Sequence, residues 1–136
     1  MKLPLRIPLA APEPWASHTD VLTASQYLER AIHSRSRAQA YYWLMRGANQ
    51  LRHAADYLRG AGYPGHAESA ELAALGMQGM AIRGYQVPVA QWPDWAAHQL
   101  YLYQAVLAGL DQDIQSLARV AGYYVVQIGP AANGSG

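Results

Sequence analysis

At 136 residues the chain is long enough for one domain with its own core and too short for two. Only 14% of its residues are charged, against about 25% in typical soluble domains, and 51% are apolar, so copies of the chain or another polymer are expected to cover part of the surface. The absence of cysteine excludes a disulfide framework and any thiolate zinc site, and the net charge of +1 conceals a basic first half: positions 1–60 hold eight basic and four acidic residues, the remainder two and five.

Prolines 4, 8, 12 and 14 fix φ and remove donors, so residues 1–16 are predicted to form an extended N-terminal arm rising about 3.1 Å per residue. Leu3, Leu5, Ile7, Leu9 and Trp15 on that arm have no helix face to join and are expected to dock on a neighbouring subunit. The same prolines break the apolar helix that an export signal requires, and none is expected.

A single helical domain is predicted over residues 17–128. Ser17 to Asp20 fits a capping box that starts a helix, with Asp20 also at the positive end of the helix dipole. From there to Arg59 the chain contains no proline and one glycine, Gly47. Its apolar stripe changes phase near residues 33–37: Val21, Ala24, Leu28 and Ile32 share one face, while Leu44, Ala48, Leu51, Ala55 and Leu58 restart on another. A long arginine-rich helix over 17–59, kinked or briefly broken at that point, is the expectation.

A turn at residues 60–65, rich in glycine with Pro64, precedes a predicted helix over 66–83. Gly76 and Gly79 there, beside Ala70, Ala73 and Ala74, form a small-residue seam that must be packed against something, because each mid-helix glycine costs about 1 kcal/mol relative to alanine. After a loop over 84–93, Asp94 is expected to cap a last helix over 94–121. In it Leu100, Tyr103, Leu107, Leu110, Ile114, Leu117 and Ala121 recur at steps of three and four, the spacing of a helix buried along one side. Residues 123–128 read as a helical turn or an extended strand, and 129–136 as a flexible tail. The longest uncharged helical stretch, 95–110, falls short of the roughly 20 apolar residues that span a bilayer, so no membrane span is predicted. The expected fold is therefore all-α: an extended arm, a long kinked arginine-rich helix, then a compact helical hairpin or bundle.

The strongest chemical signal lies in residues 30–59, which hold six arginines, two histidines and Asp56 as the only acid. At roughly 100° per residue, Arg35, Gln39, Tyr42, Arg46, Asn49, Gln50, His53 and Tyr57 fall in one band opposite Leu44, Leu51 and Leu58. Arg30, Arg37, Arg52 and Arg59 cluster at the opposite edge, beside Ala48 and Ala55. A solvated helix face mixes acids with bases for i,i+4 pairs, and this one does not. Cations on both flanks suit a helix lying between two rows of phosphates, where arginine neutralises charge and Tyr, Asn and Gln hydrogen-bond phosphate oxygens without reading sequence. The candidate nucleic-acid-binding residues are thus Arg30, Arg35, Arg37, Gln39, Tyr42, Arg46, Asn49, Arg52, His53, Tyr57 and Arg59.

Glu29 with His33, His53 with Asp56, and His66 near Glu68 lack the spacing of a di-iron bundle, so no metal or other cofactor is expected. Arg46 and His53 are similar to the Arg/His signature of HEPN-type ribonucleases, but Gly47 stands where a polar residue should follow the arginine. With no nucleophile elbow or phosphate-binding glycine loop either, the chain is not expected to be an enzyme.

In its size, proline-rich arm, arginine-rich stretch from Ser17 to Arg59, tightly packed C-terminal half and Tyr/Ala/Val-rich, cysteine-free composition, the whole chain resembles the coat proteins of filamentous and rod-shaped archaeal DNA viruses. That resemblance implies a structural protein of the virion, assembled in the host cytoplasm. Coat subunits, paired with themselves or with a related coat protein, would wrap double-stranded DNA in A-form, whose narrow major groove suits non-specific contact. Two other classes fit the residues: a small helical nucleic-acid-binding subunit of a ribonucleoprotein effector complex, and a helical-bundle interaction module that binds no nucleic acid.

Overall fold

The computed structural model describes residues 12–128. They form four long helices, α1 (Pro12–Ile32), α2 (Arg37–Gly60), α3 (Pro64–Tyr85) and α4 (Tyr101–Ile128). Between α3 and α4 run a 3-10 turn (Val89–Gln91), a short α-helical turn (Trp92–Trp95) and a π-helical turn (Ala96–Leu100). The described residues contain no strand, so the fold is all-α as the periodicity predicts.

The first helix starts earlier than expected. Pro12 and Pro14 lie in its opening turn, where backbone N–H groups have no intrahelical acceptor and proline is tolerated. This overturns the extended arm for residues 12–16; residues 1–11 and the tail 129–136 lie outside the described residues. Ser17 consequently lies inside the helix and not at its start. It is fully buried inside α1, and its hydroxyl donates to the Ala54 carbonyl at 3.4 Å. Val21, Ala24 and Leu28 are buried along the predicted stripe.

The break after Ile32 is a full reversal. The Ser34 hydroxyl donates to the Arg30 carbonyl at 2.8 Å, ending α1, and extended Ser36 starts α2 by accepting from the Gln39 N–H at 3.1 Å. α2 then runs back along α1, which brings Ser17 to Ala54, Asp20 to Gln50 and Tyr27 to Trp43. Leu44, Leu51 and Leu58 are at most 1% exposed, with Ala40, Ala48 and Ala55 beside them, because α2 is sandwiched between α1 and α3. Gly47 marks the close crossing: a Cβ there would lie 2.9 Å from the Met77 sulfur and 3.5 Å from the Ala24 carbonyl oxygen.

Gly62, at φ +92°, makes the turn into α3, and Pro64 occupies the first turn of that helix. Ala67, Ala70, Ala74, Met77 and Ala81 are buried. Of the two seam glycines, Gly76 receives the Tyr103 ring of α4, whose hydroxyl donates to the Ala73 carbonyl at 2.5 Å. Gly79 meets only the Arg83 guanidinium, so the seam is half of what the spacing predicts. Gly84 lies against Trp95 and Trp92, two stacked indoles with centroids 5.5 Å apart.

Asp94 sits in a first helical turn without forming a side-chain cap; that turn begins two residues earlier, at Trp92. In the last long helix Leu107, Leu110 and Ile114 are buried, as is Leu100 just before it, while Tyr103 and Leu117 are half-buried, in agreement with the heptad spacing. α4 rests chiefly on α1, joined by His18 Nδ1 and an Asp111 carboxylate oxygen at 2.6 Å. Residues 123–128 continue α4 as helix. No helix among the described residues is long and apolar enough to cross a membrane.

Candidate nucleic-acid interface

The hairpin of α1 and α2 regroups the arginines. On one continuous helix Arg30 would stand with Arg37, Arg52 and Arg59; the reversal at residues 33–36 instead lays its guanidinium over the Trp43 ring, 4.8 Å from the centroid. Trp43 also stacks on Tyr27 at 5.6 Å and meets the edge of Tyr42 at 5.0 Å. Arg46 completes this group. It donates to the hydroxyl oxygens of Tyr42 at 2.8 Å and Tyr27 at 3.1 Å, and its guanidinium lies 5.1 Å from the Tyr27 ring centroid. Hydrogen bonds to Tyr27 and then Tyr42 push the Arg46 pKa above its already high ordinary value, so the group is a permanent cation.

This patch holds two guanidinium groups and no carboxylate bonded to either. Glu29 faces His33 at 3.8 Å instead, and Asp20 is buried, its two oxygens taken by Gln50 at 2.7 Å and His53 at 3.0 Å. A recess of about 220 Å³ opens beside Arg46, lined by Tyr27, Asn49 and Gln50. Because both phenol oxygens accept from Arg46, their own O–H protons remain available to a further acceptor. A phosphate oxygen placed in the recess would meet a cation, the Tyr27 O–H and the Asn49 amide, donors that distinguish no base.

Arg37 and Arg59 face the other way, and with Arg52, which lies between Asn49 and Gln78, they hold α2 to its α3 side. Arg37 donates to the Tyr85 carbonyl at 3.0 Å and the Val87 carbonyl at 2.6 Å, Arg52 donates to Asn49 at 3.0 Å and to Gln78, and Arg59 pairs with Glu71 at 2.9 Å and Asp56 at 3.5 Å. Arg59 thus has carboxylate partners, whereas Arg37 and Arg52 are bonded to uncharged acceptors. Gln39 serves the start of α2, its side-chain oxygen accepting from the Arg35 N–H at 3.3 Å. His53 stands edge-on to Tyr57 with centroids 4.9 Å apart, and Asp56 goes to Arg59 rather than to His53. Among the described residues no three His, Asp or Glu side chains converge on a common point.

The structure therefore brings together Arg30, Tyr42, Arg46 and Asn49, with Arg52 joined to them through its hydrogen bond to Asn49, and keeps them apart from Arg37 and Arg59. Tyr27 and Trp43 belong to the same surface, and buried Asp20 holds Gln50 from below; none of the three was singled out from helix periodicity. Tyr27 and Trp43 stand eight residues on either side of Arg35, a spacing that pairs them once the break is read as a hairpin. No protein-family model, curated protein or solved structure matches the chain.

Proposed function

We propose that the chain is a structural coat subunit that assembles along double-stranded DNA and grips its phosphates without regard to sequence. The observation that carries this reading is the Arg46 recess and the patch around it: Arg46 beside Tyr27 and the Asn49 amide in the recess, Arg30 on the Trp43 ring outside it, phenol protons available to an acceptor, and no carboxylate bonded to either guanidinium. A coat subunit also needs surface for its neighbours. Leu72, Leu75 and Leu102 are 55–64% exposed on α3 and α4, the sparsely charged half of the molecule, which suits packing between copies.

Affinity for duplexes of unrelated sequence, measured on the assembled form across a salt series, tests the reading. The log-log slope is expected to be about −0.9 per phosphate neutralised, and Arg46→Gln is expected to remove about one such contact for every sequence alike. Salt-independent binding, or none in any assembled state, overturns it.

A further inference from the structure

A second cationic recess lies at the other end of the arginine distribution, away from Arg46. It is a cleft of about 390 Å³ where the start of α2 meets the connection between α3 and α4. Arg35 and Arg37 line it together with Tyr85, Val89, Trp92 and Pro93, and the Arg37 guanidinium lies 5.7 Å from the Tyr85 ring centroid. No acidic residue lines it. The Arg35 guanidinium has no hydrogen-bond or ion-pair partner among the described residues, and the Arg37 guanidinium is held by the Tyr85 and Val87 carbonyls through one nitrogen, leaving its other three N–H bonds uncommitted. Two cations with no anion between them repel each other, a cost that a bound anion removes.

The rest of the lining is largely apolar. Val89 is 71% exposed and Tyr85 50%, an unusual amount of bare apolar surface to leave beside two guanidinium groups, while buried Trp92 gives the wall a rigid base. The volume is within the range of small-ligand sites, whose pattern is an apolar wall with a few fixed polar groups. Tyr85 and Ala38 also line an adjoining recess with Tyr41, so a strand has room to continue past Tyr85.

We propose that this cleft binds a nucleotide unit, its phosphate on Arg35 and Arg37 and its base against the wall of Tyr85, Val89, Trp92 and Pro93. The phosphate-plus-base chemistry is shared by a free nucleoside monophosphate and by the phosphorylated end of a single strand. Stacking on aromatic side chains is tolerant of base identity, so the cleft accepts any of the four bases.

Calorimetry and tryptophan fluorescence on the full chain test this, with AMP, adenosine, inorganic phosphate, and short single-stranded oligonucleotides carrying either a 5′-phosphate or a 5′-hydroxyl. AMP is expected to bind and to quench tryptophan emission, with adenosine and phosphate each weaker by about tenfold or more, since each lacks one half of the ligand. Arg35→Gln weakens AMP binding and Val89→Trp, which fills the cleft from an exposed position, abolishes it; unchanged circular dichroism confirms that both variants fold. A 5′-phosphorylated oligonucleotide that outbinds its 5′-hydroxyl counterpart assigns the site to strand ends, whereas binding of AMP alone assigns it to free nucleotide. Arg46→Gln leaves AMP binding intact, which separates failure here from failure of the duplex-coating reading. Absence of AMP binding at millimolar concentration, phosphate bound as tightly as AMP, or an unaffected Val89→Trp variant overturns the proposal.

Discussion

The Arg46 guanidinium bridges two helices by donating to Tyr42 on its own and to Tyr27 on α1, at 2.8 and 3.1 Å. That double donation needs the planar fork of arginine, which a lysine ammonium does not reproduce. Arg46→Lys is therefore expected to retain the salt slope of duplex binding, because the charge remains, while lowering affinity at every salt concentration. Arg46→Gln is expected to lower both. Fluorescence-anisotropy titrations of the two variants over a salt series would separate charge from geometry, and an Arg46→Lys variant that binds as tightly as the unaltered chain would show that the fork is irrelevant.

The seam glycines are predicted to respond oppositely to alanine. At Gly79 a Cβ meets only the Arg83 guanidinium at 3.1 Å, a flexible end that can swing away, so Gly79→Ala should gain about 0.5–1 kcal/mol of stability from helix propensity. At Gly76 the new methyl runs into the Tyr103 hydroxyl, which is anchored to the Ala73 carbonyl. Moving that ring forfeits the hydrogen bond, worth about 1 kcal/mol, along with its packing, so Gly76→Ala should come out net destabilising. Urea denaturation of the two variants checks both signs.

Asp20 is 6% exposed and satisfies Gln50 and His53 across the α1–α2 interface. Asp20→Ala removes a shared acceptor from both, and a loss of about 1–3 kcal/mol is expected from the orphaned donors and the space left behind. Chemical denaturation at neutral pH measures it, and His53→Ala, whose side chain is 56% exposed, should cost less.

Burial pushes the Tyr103 phenol up to about 12 from its ordinary value near 10. Below pH 10 the phenol is protonated in both the folded and the unfolded chain, and its contribution is fully present. Above 10 the unfolded chain releases the proton first, so stability should decline between pH 10 and 12, where the folded phenol also ionises and loses its donation to Ala73. Tyr103→Phe should lack this component of the decline. Denaturation midpoints of the two proteins across pH 9 to 12 would reveal it, and parallel curves would rule it out.

Much of the helical framework was legible from local pattern. Leu44, Leu51 and Leu58 recur every seven residues, as do Leu100, Leu107 and Ile114, and such spacing has one economical solution, a helix buried on that side. The phase change near residue 35 was equally visible, but its depth was not. A kink and a reversal leave the same trace in a periodic pattern, because the stripe restarts either way. Ser17 misled for a related reason: Ser-x-x-Asp is a start signal only where the N–H groups behind it are free, and here α1 already runs from Pro12.

Composition, periodicity and the unequal placement of arginine are properties of the chain alone, and they determined an all-α domain with a basic, tyrosine-bearing first half. Which arginines remain available to a partner was decided by the tertiary structure. Arg30 and Arg46 meet on Trp43 only because α1 doubles back on α2, and Arg59 is paired with Glu71 only because α3 doubles back in turn. A guanidinium interacts over a few ångströms of space, whereas the sequence orders residues by distance along the chain; the turns at Ser34 and Gly62 convert one into the other.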